Sequence, residues 1–131
     1  MAKLFKKRQE EILKKFEGQK VLGAFGSANF FGLESKGVKQ IRGNGFLVLT
    51  ENKLYFEMWV KPRTIIEIPI KSIKKIETVK SHLYKSRFNP LLKVIFTNDI
   101  GEIDSVAWMV GKNRLEEWRD ALEKLVFHQN R

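Results

Sequence analysis

Two alternating runs joined by a polar turn, between Gly45 and Val60, restrict this chain more than any other feature. In the second run Leu54, Phe56, Met58 and Val60 fall on one face, and Tyr55, Glu57 and Trp59 fall on the other. A period of two belongs to a strand and not to a helix. With Thr50-Glu51-Asn52-Lys53 between the runs, the pattern predicts a β-hairpin.

Other short strands follow from the same test. Gln19 to Phe31 is apolar and glycine-rich and reads as a first strand bent at its glycines. Gly32 to Gly43 is polar and basic, a loop or irregular strand. Lys61-Pro62-Arg63 marks a turn, after which Ile66, Ile68 and Ile70 alternate and Ile73 and Ile76 lead into Glu77-Thr78-Val79. Lys80 to Pro90 reads as a basic loop and Leu91 to Phe96 as a strand. Asn98-Asp99 is a turn, and Ile103 to Val110 is the last strand, with Val106, Trp108 and Val110 on one side. Helices close both ends. Residues 3–17 place Phe5, Ile12, Leu13 and Phe16 near one face beside Leu4, with lysines and Arg8 around the rest and Gly18 as the stop. Residues 113–127 carry the stripe Leu115, Trp118, Leu122 and Leu125, with Asn113 as N-cap and Glu116 completing a capping-box-like pair.

The expected architecture is therefore mainly β with terminal helices: about seven short strands in a small barrel or sandwich, whose open end the C-terminal α-helix covers. The division is a basic amphipathic helix at 1–18 and a domain at 19–128. A chain of 131 residues suits one domain and buries enough apolar surface to fold without staples. It has no cysteine, which excludes disulfides and thiolate metal sites. No export segment or spanning helix is read, so a soluble, cytoplasmic protein, peripheral at most to a membrane, is the expectation.

The formal net charge is +10. Lys plus Arg against Asp plus Glu stand at 7 to 3 in residues 1–20, 6 to 3 in 21–63, 7 to 3 in 64–100 and 5 to 6 in 101–131. The positive field belongs to everything before the last strand and helix. It favours anionic partners without naming one.

The run Gly45-Phe46-Leu47-Val48-Leu49-Thr50-Glu51-Asn52-Lys53-Leu54-Tyr55-Phe56 resembles the hairpin of the GRAM and bacterial pleckstrin-homology-like families, with its opening glycine, closing threonine and Leu-x-Phe after the turn. Ile66-Glu67-Ile68-Pro69-Ile70 followed by Ile73 and Ile76 is similar to the strand pair that comes next there, and Arg114 to Leu122 is similar to the C-terminal helix whose tryptophan plugs the barrel. The matches span Gly45 to Leu122 in order, and the helix at 3–17 has no counterpart. The resemblance implies an antiparallel β-barrel of about seven strands capped by the C-terminal α-helix, a binding module, and a buried Trp118. In phosphoinositide-binding members a lysine and then a basic residue two before an arginine hold the phosphates; here Lys39 is three before Arg42, and that motif is not met.

Nothing in the residue inventory assembles a catalytic site. His82 and His128 are the only histidines, and neither has metal-ligand spacing. Ser81-His82 is a mere adjacency, and Gly23-Ala24-Phe25-Gly26-Ser27 lacks the lysine of a phosphate-cradling loop. No enzyme activity, metal or cofactor is expected. Candidate anion- or lipid-binding residues are Lys36, Lys39 and Arg42 before the hairpin, Lys61 and Arg63 after it, and Lys80, Lys85 and Arg87 in the later loop. Phe30 and Phe31 are candidates for membrane insertion, with ordinary core residues as the competing reading. The helix at 3–17 likewise either packs on the barrel or lies on an anionic membrane. Three functions stay open: an interaction module for a protein or peptide, peripheral binding to anionic lipids through the basic loops, and nucleic-acid binding, against which Glu57 between Tyr55 and Trp59 argues.

Overall fold

The computed structural model describes residues 2–61, 63–83 and 85–129, with side chains for all of these except 2–5, 85–89 and 129. Pro62 of the expected turn, and the side chains of Leu4 and Phe5, lie outside what is described. In chain order the elements are α1 (Ala2–Lys14), β1 (Val21–Leu33), a 3-10 turn (Glu34–Lys36), β2 (Gly43–Thr50), β3 (Lys53–Met58), β4 (Ile65–Pro69), a second 3-10 turn (Ile70–Ser72), β5 (Ile73–His82), β6 (Lys85–Thr97), β7 (Ile103–Met109) and α2 (Leu115–Gln129).

The strands form one antiparallel sheet in the order β4-β3-β2-β1-β7-β6-β5. It folds around a core that includes Phe30, Leu47, Phe56, Ile68, Val94 and Trp108, and α2 seats Leu115, Trp118 and Leu122 in that core. The terminal strands β4 and β5 pair with only one neighbour each, so the barrel keeps an open seam.

The hairpin is where alternation placed it. Thr50 Oγ1 accepts from the N–H groups of Asn52 and Lys53, at 3.2 and 3.1 Å, which satisfies turn donors locally. Leu54, Phe56 and Met58 enter the main core, whereas Val60 leaves the strand and is exposed. Glycine at 45 is a steric requirement, because a Cβ there would lie 2.5 Å from the Glu57 carbonyl oxygen and from the Phe56 ring. The run Phe46-Leu47-Val48-Leu49 is buried on both faces. Leu47 and Leu49 face the barrel; Phe46 and Val48 join Tyr55 and Trp59 under Ile12 and Phe16 of α1. The N-terminal helix thus packs on the outside of β2 and β3.

Three boundaries differ from expectation. Helical hydrogen bonding gives way at Lys14 to single turns that end at Gly18, whose φ is +82°. Helix α2 starts at Leu115, which leaves Asn113 in the preceding turn and not at the cap. The segment 80–90 is no loop: β5 runs to His82 and β6 starts at Lys85, as a long ribbon with a register shift between Val79 and Ser81. The shift interrupts the period of two, so the alternation does not carry through to the tip.

Candidate interaction surfaces

Two segments that carry basic residues meet where β1 leaves the sheet. Gly32 has a φ of +109°, and a Cβ on it would stand 2.8 Å from Gln40 Cδ and 3.1 Å from Leu83 Cδ1. The β1–β2 loop and the β5–β6 tip therefore meet at this glycine. Gln40 ties the loop down, accepting from the Leu33 N–H at 2.8 Å and donating to the Leu33 carbonyl at 2.7 Å. From the other side His82, which is buried, places Nε2 2.9 Å from the Gly32 carbonyl and donates to it. Burial holds this imidazole below its ordinary value, and Lys93 adds to the effect against the pull of the Gly32 carbonyl, Glu34 and Asp104. The 3-10 turn is pinned in turn: Ser35 donates through N–H and Oγ to Asp104, at 2.9 and 2.6 Å, and Ser105 Oγ donates to Glu34 at 2.6 Å.

This junction carries Lys36, Lys39 and Lys80 exposed, without an ion pair among the described residues. Arg42 stacks its guanidinium 5.1 Å from the centroid of Phe31. Lys85 and Arg87 belong to the same tip by backbone position, with their side chains outside the described ones. Lys61 and Arg63 are exposed in the β3–β4 loop, which the Trp59 N–H to Asn44 carbonyl bond holds beside the start of β2. Phe30 and Phe31 are corrections: at 1% and 0% exposure they are core side chains, so neither ring is available to a bilayer in this conformation. His82 is corrected too, from a loop residue to a buried one.

On the outer face of the sheet, Glu57 is buried between two cations. Its carboxylate receives Arg8 Nη2 at 2.8 Å and Lys15 Nζ at 2.9 Å, and Tyr55 donates its hydroxyl to the same group. Burial alone would raise the Glu57 carboxyl. Hydrogen bonds from Lys15 and Tyr55, with the charges of Lys15 and Arg8, hold it below its ordinary value instead. Lys15 is raised by its own hydrogen bonds to Glu57 and to the Tyr55 hydroxyl. The network and the ring cluster fasten α1 down, and they cover Tyr55 and Trp59.

At the seam, β4 borders a groove of about 710 Å³ whose walls include Leu33, Lys36, Ile65, Phe96 and Ile100. A second hollow of about 560 Å³ shares Glu67, Pro69 and Asp99 with it. Ile65 and Ile100 are 50% and 76% exposed there. The β6–β7 turn that forms the far wall is tied locally, with Asn98 Oδ1 accepting from the Ile100 and Glu102 N–H groups at 3.1 and 3.0 Å.

No protein-family model matches the sequence, and a comparison with curated proteins finds no relative. Solved structures do match. The C-terminal domain of an unknown protein from Leishmania infantum aligns with a TM-score of 0.61 at 16% identity, covering 93% of this chain and 97% of that one. The N-terminal PH domain of Vps36 aligns at 0.60 and 16% identity, covering 86% and 82%. This chain has a pleckstrin-homology-like fold. The DH/PH domains of PDZ-RhoGEF, in complex with GTP-γ-S-activated RhoA, align at 0.56 and 12% identity, covering 98% of this chain and 37% of that one. At these identities the likeness concerns the fold.

Within this PH-like fold three features were not read from the sequence. Glu57 was legible in principle, since a carboxylate on an apolar strand face demands a cation, and α1 carries several. His82 gave no signal, because the register shift hides its side. The free edge of β4 was unreadable without strand order.

Proposed function

We propose that this chain is a non-enzymatic PH-like interaction module that docks a protein or peptide partner. The open seam supports the reading: an unpaired strand edge lies beside a groove of about 710 Å³, of the size that ligand sites commonly have. The kinship in fold with PH domains agrees with it. Selection of a random peptide library against the full chain, followed by titration of the recovered peptides, tests it. A set of peptides that saturates one surface supports the module; recovery of none that binds above a scrambled control overturns it.

A second reading, peripheral binding to anionic lipid, is favoured by the exposed lysines of the Gly32 junction. Each cation near an anionic surface contributes about 1 kcal/mol. The three described lysines would give affinity weaker than about millimolar. With Phe30 and Phe31 buried, such binding would act as an auxiliary attraction. Co-sedimentation with phosphatidylserine vesicles across a salt series measures it. Nucleic-acid binding is less favoured, because α1 covers Tyr55 and Trp59 as stacking surfaces.

A further inference from the structure

We infer that the free edge of β4 is a strand-addition site for an extended peptide that alternates basic and apolar residues. The inference rests on the interaction-module reading and names its site and the chemistry of its partner.

The parity of the β3–β4 ladder fixes what the edge offers. The Met58 N–H donates to the Thr64 carbonyl at 3.0 Å, and the Ile70 N–H donates to the Asn52 carbonyl at 2.8 Å. Bonded pairs alternate in an antiparallel ladder, so Phe56 with Ile66 and Leu54 with Ile68 are the bonded pairs between these ends. The N–H and C=O groups of Ile65 and Glu67 consequently point away from β3, toward the groove. Pro69 agrees with this parity, since its missing N–H is one that would face outward. Its carbonyl is occupied by Ser72 Oγ at 2.7 Å. The edge is thus a short slot of two donors and two acceptors, closed at one end by a proline.

Charge selects the occupant. The walls of the groove carry the carboxylates Glu67, Asp99, Glu102 and Asp104 against Lys36. Asp104 is taken up by Ser35 and Ser105, and Glu67 holds Lys53 Nζ at 3.1 Å, so Asp99 and Glu102 are the acidic groups left without an ion pair among the described residues. Exposed Ile65 and Ile100 supply apolar contacts beside the acidic groups. A strand laid on β4 would point alternate side chains to opposite faces, which suits apolar and basic residues in turn. A second copy of this chain fits worse, because its own β4 would bring another Glu67 into a carboxylate-lined groove.

The probe is the peptide acetyl-Lys-Val-Arg-Val-Lys-Val-Arg-amide, titrated into isotope-labelled full-length protein and followed by amide NMR. Saturable shifts are expected at Ile65, Glu67, Asp99 and Glu102, with a dissociation constant on the order of 0.1–1 mM. The counterpart with Glu at every basic position should not bind. Glu67→Pro removes an outward donor while leaving the β3 ladder, and it should weaken binding about tenfold. Glu67→Gln, which keeps the donor, should weaken it only about two- to threefold. Equal binding of the acidic peptide, or shifts confined to another surface, overturns the strand-addition site. In the second of these cases the module reading stands, because a peptide is bound elsewhere. If neither this probe nor any library peptide binds, both fall. A dimer in sedimentation that Glu67→Pro dissolves would make a second copy the occupant and also overturn the inference.

Discussion

Arg8 and Glu57, far apart in the chain, meet at 2.8 Å on the outer face of the β2–β3 hairpin, with the carboxylate side chain only 6% exposed. Lys15 approaches the same carboxylate from the end of the helix, at 2.9 Å. The pair converts a basic amphipathic helix from a free element into part of the barrel wall.

Glu57→Gln should therefore loosen α1 before it unfolds the barrel. The neutral side chain leaves Arg8 half-buried without its counter-charge, at a cost of about 1–3 kcal/mol. Hydrogen exchange read residue by residue checks this: amides of α1 gain exchange while those of β6 and β7 do not.

Acid should destabilise the protein in two stages. The His82 imidazole is held below 6.5 in the fold and returns to that value on unfolding, so folding favours the neutral ring. Its contribution is complete above pH 6.5 and declines as pH falls toward the lowered folded value. Glu57 is held below 4.5, so its contribution is complete above that pH and is lost as pH drops through its own folded value. Denaturation midpoints measured from pH 7 to pH 3 check the order: His82→Gln should flatten the upper stage, and Glu57→Gln the lower.

Trp118 is 7% exposed in the core beneath α2. Trp118→Ala should cost about 3–5 kcal/mol through lost transfer energy and the cavity left behind. An unchanged denaturant midpoint would contradict that burial.

Gly32→Ala should cost more than about 1 kcal/mol, because its backbone conformation disfavours a Cβ that would also meet Gln40 and Leu83. Amide shifts are expected to concentrate in residues 37–42 and 80–83. The same change should reduce retention on phosphatidylserine vesicles, by separating Lys36 and Lys39 from Lys80.

Where one face of a strand is buried and the other is not, the sequence announces it; β4, with Ile66 and Ile68 inward and Ile65 and Glu67 outward, is an example. The strands and the capping helix were legible as elements, the hairpin from its parity although both its faces are buried. The far end of the β5–β6 ribbon was not, since a register shift breaks its period. The lysine groups were legible as charge, but their meeting at Gly32 depends on a long-range contact between loop and tip. The groove beside β4 depends on strand order, a property of the whole sheet that no local window contains.

Because α1 occupies the outer face of β2 and β3 while the barrel occupies the inner one, the most apolar pair of strands has no side left for visitors. What the fold leaves open to contact is a matter of rims and corners. Short linear segments and charged surfaces can reach those places, whereas a broad flat partner would first have to displace a helix.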